Sequence, residues 1–247
     1  MGKKAGVAAI ILGVALWYYG GTSNGTKFVN LGIASIILGL VITTLRGMDV
    51  REIERLTHAH VPEFIDNLRR NMKLTGDPIL IPPYPNLPRG GVFLPKSKNP
   101  SIKLGMLSEN ELIVKGSSRE SGLLLSPPPG WELLKYFEEH SGSVEGSGAS
   151  YAASVASSGL SALGLGKVAV FESDDGELEI YAEPLIDGPV YTDPVCSATL
   201  LAIARGLNSV ISIEESKVAD GKGKKVWSKN RKVKIKVRKL GTVKELL

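Results

Sequence analysis

Cysteine is almost absent from this sequence, with one residue, Cys196, in 247. No intrachain disulfide can form and no cysteine-based metal cluster can assemble, which agrees with a reducing compartment. Histidine is nearly as scarce: His58, His60 and His140 are the only three. No HExxH, GxSxG, phosphate-loop or paired-cysteine pattern occurs, so neither a cofactor nor a reaction can be named from motifs. Charge is missing from two early stretches, 5–26 and 28–45, which contain no Asp, Glu, Lys or Arg. Acid is scarce at the other end, where residues 222–247 carry eleven Lys or Arg and one acid, Glu245. The body between them, 47–221, has twenty-four acids against fifteen bases. The formal net charge of +5 thus hides an acidic body with a basic tail.

The uncharged stretches organise the chain. Apolar runs at 5–19 and 28–45, joined by the polar turn 21–27, each approach the ~17–25 residues needed to cross about 30 Å of hydrocarbon. They read as a transmembrane helical hairpin. Trp17, Tyr18 and Tyr19 sit together where rings favour the headgroup layer. Ala5, Ala9 and Gly13 in the first run and Ser35 and Gly39 in the second supply small residues for close helix packing. A signal peptide is the weaker reading, because no small-residue cleavage site follows the aromatic cluster and a second apolar run does. A soluble helix pair is weaker too, since helices apolar all round belong in lipid. Lys3, Lys4, Arg46, Arg51 and Arg55 flank the outer ends and only Lys27 lies in the turn. Positive-inside then puts both termini in the cytoplasm of a two-span membrane protein. Asn24-Gly25-Thr26 matches a glycosylation acceptor, but lies too near the membrane to be a good one.

Three parts follow: the hairpin over 1–46, a juxtamembrane helical connector over 47–75 and a soluble domain over 76–247. In the connector, Asp49 caps a helix through Leu56. Pro62 then opens a second helix to Leu74 with Phe64, Ile65, Leu68 and Met72 inward. Prolines crowd 76–100 and exclude helix, so that stretch is expected to run extended over the domain surface. A proline ligand for an SH3-type groove is a lesser possibility. Short apolar pieces at 102–104, 111–114 and 122–125 read as strands. A helix over 131–140 buries Leu133, Leu134 and Phe137, and the Gly/Ser-rich 141–150 marks a possible internal boundary. A second helix spans 150–163. Strands at 167–173 and 177–183 flank Asp174-Asp175-Gly176, a preferred hairpin turn. Asp193 or Thr192 caps a helix through Arg205, with Pro194 at its first position. Strands at 209–215 and 227–240 complete an α+β fold with a largely antiparallel sheet.

The strongest functional pattern is Lys232-Val233-Lys234-Ile235-Lys236-Val237-Arg238. Period-two alternation puts Lys232, Lys234, Lys236 and Arg238 on one face and the apolar residues on the other. Such a stripe can guard a sheet edge against aggregation, rest on anionic headgroups, or meet an acidic protein partner. Nucleic acid ranks last, because no aromatics interleave the cations for base stacking. Cys196 falls in a helix first turn, where the dipole can favour a thiolate, but no histidine is close in sequence. His58 and His60 with Glu63 or Asp66 form an incomplete metal set. The glycines of 159–166 read as a helix end rather than a phosphate loop.

The two-span hairpin followed by a Val/Ile/Lys-rich α+β domain resembles uncharacterised two-transmembrane-helix membrane proteins of thermophilic archaea. The resemblance implies a membrane-anchored cytoplasmic domain and assigns no site. The residues favour a scaffold, sensor or accessory protein that binds through its basic strand and carries no cofactor. A membrane-tethered enzyme with a site near Cys196 is the alternative, and a nucleic-acid tether the third.

Overall fold

The computed structural model describes residues 2–23, 25–45, 60–173, 177–218 and 232–247. They divide into two compact units, Met1–Leu56 and Thr57–Leu247.

The first unit is a helical hairpin, α1 (Gly2–Thr22) and α2 (Thr26–Leu45). The turn closes through Gly25 N–H to Gly20 O and Ser23 Oγ to Tyr19 O. The helices touch along glycine. A Cβ on Gly13 would lie 2.7 Å from the Gly32 carbonyl oxygen, and one on Gly39 the same distance from that of Gly6. These glycines repeat every seven residues, at 6, 13 and 20 in α1 and at 32 and 39 in α2, the period of a left-handed helix pair. The small-residue contact expected from the sequence thus forms, but glycine at spacing seven replaces the four-residue stripe of Ala9 and Gly13. Ser35 Oγ donates across the pair to Ala9 O at 3.1 Å. The large side chains point away: Ile11, Leu12, Trp17, Tyr18, Leu31, Ile37 and Leu38 are each more than half exposed. Among the described residues no helix is long and apolar enough to cross a membrane.

The second unit opens with α3 (His60–Asn71), two residues earlier than Pro62, because proline fits anywhere in a first turn. Pro62 and Ile65 are buried, but Phe64 is 62% exposed and does not face the core as expected. Arg69 fixes the exit from this helix, donating to Leu74 O and Gly76 O at 3.1 and 2.9 Å. The expected helix over 49–56 lies outside the described residues.

Eight strands follow: β1 (Ile79–Ile81), β2 (Gly91–Pro95), β3 (Ile113–Val114), β4 (Gly122–Leu125), β5 (Ala169–Glu172), β6 (Leu178–Ala182), β7 (Ser209–Val218) and β8 (Val233–Thr242). They form one antiparallel sheet in the order β3-β4-β2-β1-β7-β8-β6-β5. The α+β class with an antiparallel sheet is therefore as the sequence implied. The proline-rich stretch does more than cover a surface. Its β1 and β2 are wholly buried interior strands, and prolines 82, 83, 85 and 88 are confined to the connection between them. Of the three short apolar pieces, 102–104 is not a strand; Leu104–Met106 forms a single 3-10 turn, consistent with Gly105 interrupting so short a run.

Helices α4 (Trp131–Ser141), α5 (Ala149–Ala162) and α6 (Pro194–Gly206) cover one face of the sheet. Strand alternation sends Leu80, Val92, Leu94, Leu123, Ile180, Ile211, Ile235 and Val237 into them. The small residues of α5 permit close approach, and Gly159 is packed so tightly on Phe137 that a Cβ would lie 2.2 Å from the ring. Among the described residues the opposite face is covered only on the β1–β4 side. There Tyr84, Leu87, Leu104, Leu107 and Val243 of the short α7 (Val243–Leu246) seal Ile79, Ile81, Phe93 and Leu124. The other half, over β8, β6 and β5, is left uncovered by the described residues.

Residues 141–150, a possible boundary by composition, are clamped to the end of α6. Arg205 holds Glu138 at 2.7 Å and Glu145 at 3.3 Å, and the amides of Gly146 and Gly148 donate to Arg205 O and Gly206 O. The expected β5–β6 hairpin forms, with Glu172 opposite Leu178, though its turn, 174–176, lies outside the described residues. So do residues 219–231, including Trp227 at the expected start of the last strand.

Candidate functional site

The open half-face is where the cationic strand emerges. Ile235 and Val237 are buried against the helices, while Lys234 and Lys236 are half-buried and Arg238 is exposed on the other side. Lys232, just before β8, is exposed. The strand has β7 on one side and β6 on the other, so it is interior. Its lysines do not guard an edge, and that reading of the stripe is corrected.

Acids from both neighbours interleave with the cations. Lys234 Nζ lies 2.7 Å from Glu179 Oε1, and Arg238 Nε lies 3.0 Å from Glu214 Oε1. The register sets Lys236 between Glu179 and Glu215, and Glu215 pairs with Lys217. The bond from Lys234 holds the Glu179 carboxyl below its ordinary range, and Lys217 does the same for Glu215. Glu179 in turn raises Lys234. Lys234 also stands 5.9 Å over the Tyr181 ring, which meets exposed Phe171 edge-on at 5.6 Å. The surface is a mixed-charge lattice beside an aromatic pair, not a bare basic stripe. The sequence marked the cations. It did not mark Glu179, Glu214, Glu215, Tyr181 or Phe171, which become neighbours only through strand pairing.

Cys196 is fully buried in the first turn of α6. Burial, and then the Asp193 carboxylate beside it, push the thiol well above its usual range. The helix dipole is outweighed, and the sulfur is a core side chain rather than a nucleophile. The Cys196 N–H at this helix start is already capped, and the capping carboxylate is itself an anion. Asp193 Oδ1 accepts from Cys196 N at 2.8 Å, and Oδ2 accepts from Leu185 N and Ile186 N at 2.6 and 2.8 Å. An external anion has no place there.

The histidines do not converge. His60 is exposed at the start of α3, His140 stacks on Tyr136 at 4.0 Å, and His58 lies outside the described residues. Among the described residues no group of three His, Cys, Asp or Glu could hold a metal ion. Gly164 and Gly166 adopt positive φ in the turn after α5, the helix end expected of them.

No protein-family model, no curated protein and no solved structure matches the chain. Its function has to be argued from its own residues.

Proposed function

We propose that the chain is a membrane-anchored binding protein. Its α1–α2 hairpin spans a bilayer with both ends cytoplasmic, and its α+β unit serves as a scaffold, sensor or accessory module without a reaction of its own. The observation that carries this reading is the inverted packing of the hairpin, glycine inside and Leu, Ile, Trp and Tyr outside. In water such a pair would leave its large apolar side chains uncovered. In hydrocarbon the arrangement is favourable, because helices there associate through small residues and the bilayer solvates the rest. Lys3, Lys4 and the arginines at 46, 51 and 55 supply the orientation. Tyr19, edge-on to Phe28 at 5.6 Å, continues the aromatic cluster at the turn end.

The binding surface in this reading is the open face around Lys232, Lys234, Lys236 and Arg238. The interleaved Glu179, Glu214 and Glu215 favour an acidic protein segment over a headgroup layer. A segment can address the cations one by one, whereas a planar array of phosphates would also meet the carboxylates. Phe171 and Tyr181 add apolar contact.

Alkaline carbonate extraction of membranes carrying the full chain tests the anchor: retention in the pellet supports it, and release to the supernatant overturns it. Flotation with anionic and neutral vesicles across a salt series tests the surface. Salt-sensitive flotation of the 47–247 part with anionic vesicles, lost on reversing the four cations to Glu, would favour lipid over a protein partner.

A further inference from the structure

On the helix-covered face, beyond the last helix, the sheet leaves a groove of about 330 Å³. It is lined by Met72, Leu74, Ile113 and Val114, and by Lys96 and Lys115. The register explains how it forms. Pro95 of β2 and Val114 of β3 flank Gly122 of β4, so the next residues, Lys96 and Lys115, stand on either side of Ser121. Alternation from Leu94 and from Ile113 sends both lysines to the same face, roughly 10 Å apart across two strand spacings. Ile113 is 51% exposed beside them. Neither lysine forms an ion pair among the described residues. Glu120, the nearby acid in sequence, is tied to Lys103 at 2.6 Å among the residues lining the other face.

We infer that this groove binds a single-chain anionic amphiphile, an alkyl carboxylate, with its head between Lys96 and Lys115 and its chain along Ile113, Met72 and Leu74. Among the described residues the groove sets two cations with no ion pair beside an apolar wall, the combination such a ligand requires. Its volume lies at the low end of the ~300–1,000 Å³ of ligand sites, which suits one medium alkyl chain and not a two-chain lipid. The site belongs wholly to the second unit and does not depend on where the hairpin sits.

The test is photolabelling of the full chain, kept in a nonionic detergent, with a diazirine-bearing decanoate, followed by peptide mapping. Label should fall within 72–74 and 113–115 and be displaced by unlabelled decanoate. It should drop on the order of tenfold in the Lys96→Glu/Lys115→Glu variant, the loss of two exposed charge contacts. Ile113→Glu should remove it with both lysines in place. Label confined to α1 and α2, label undiminished by charge reversal, or equal labelling by the matching diazirine alcohol would each overturn the inference. Failure of the hairpin to stay in membranes would leave this labelling pattern unchanged, so the two readings fail separately.

Discussion

Asp193 ties the start of α6 to the turn that precedes it. Its carboxylate is 1% exposed and accepts three backbone N–H bonds, one capping α6 and two fixing the turn at Leu185 and Ile186. Burial makes the carboxyl a weaker acid than an ordinary aspartate, and the three donors pull it part of the way back. In Asp193→Ala the lost cap costs about 1 kcal/mol. The stranded amides of Leu185 and Ile186 cost about 1–3 kcal/mol each, for a total of about 3–7 kcal/mol. That is a large part of the ~5–15 kcal/mol that stabilises an ordinary domain. Asp193→Asn should cost less, about 1–2 kcal/mol, because the amide can turn its oxygen to Leu185 and Ile186 and give up only the cap. Guanidinium titration of the full chain measures both. Hydrogen exchange at the amides of 185, 186 and 196 should report the same order residue by residue. A cost below about 1 kcal/mol for Asp193→Ala, or an equal cost for both variants, would refute the reasoning.

Tyr84→Phe should destabilise by about 1–2 kcal/mol, since its buried hydroxyl donates to Leu104 O at 2.7 Å and the carbonyl would be left unpaired. Burial raises the Tyr84 hydroxyl to about 12 from an ordinary 10. The native state therefore holds the proton longer than the unfolded chain, and stability should fall as pH rises from 10 towards 12, but not in the Phe variant. Glu120, lowered to about 2 first by Lys103 and then by the Ser117 amide and hydroxyl, has the opposite sign. Its stabilisation is present above about pH 4.5 and lost as pH falls towards 2, and acid melting curves of Glu120→Gln should lack that slope. Gly32→Leu should force α1 from α2, because even a Cβ there meets Gly13 O at 2.7 Å. Spin labels on outward-facing Leu12 and Leu38 should move apart, and an unchanged distance would contradict the glycine contact.

The parts of the fold carried by local pattern were legible in the sequence. The β5–β6 hairpin, the Asp193 cap and the helices at 131 and 194 follow from a turn dipeptide, a capping residue and apolar spacing. The parts decided by distant pairing were not. Proline count hid β1 and β2, whose prolines lie in the loop between them or, as Pro95, at the strand's last position. Phe64 has an inward helical position but faces outward, and spacing alone could not tell where α3 meets the core. For the candidate surface, alternation found Lys234, Lys236 and Arg238. Only the pairing of β8 with β6 and β7 shows that Glu179, Glu214 and Glu215 stand among them and that the strand is interior. The seven-residue glycine period in α1 and α2 was present to be read, but a four-residue search passes over it.

The most direct measurement is the accessibility of the turn between α1 and α2. A cysteine at Ser23, probed with a membrane-impermeant maleimide in right-side-out vesicles, should be labelled from outside. Buried Cys196 should stay silent until the protein is unfolded. Labelling of Ser23→Cys only after the vesicles are opened would place the turn on the cytoplasmic side, and the spanning hairpin on which this account depends would be wrong.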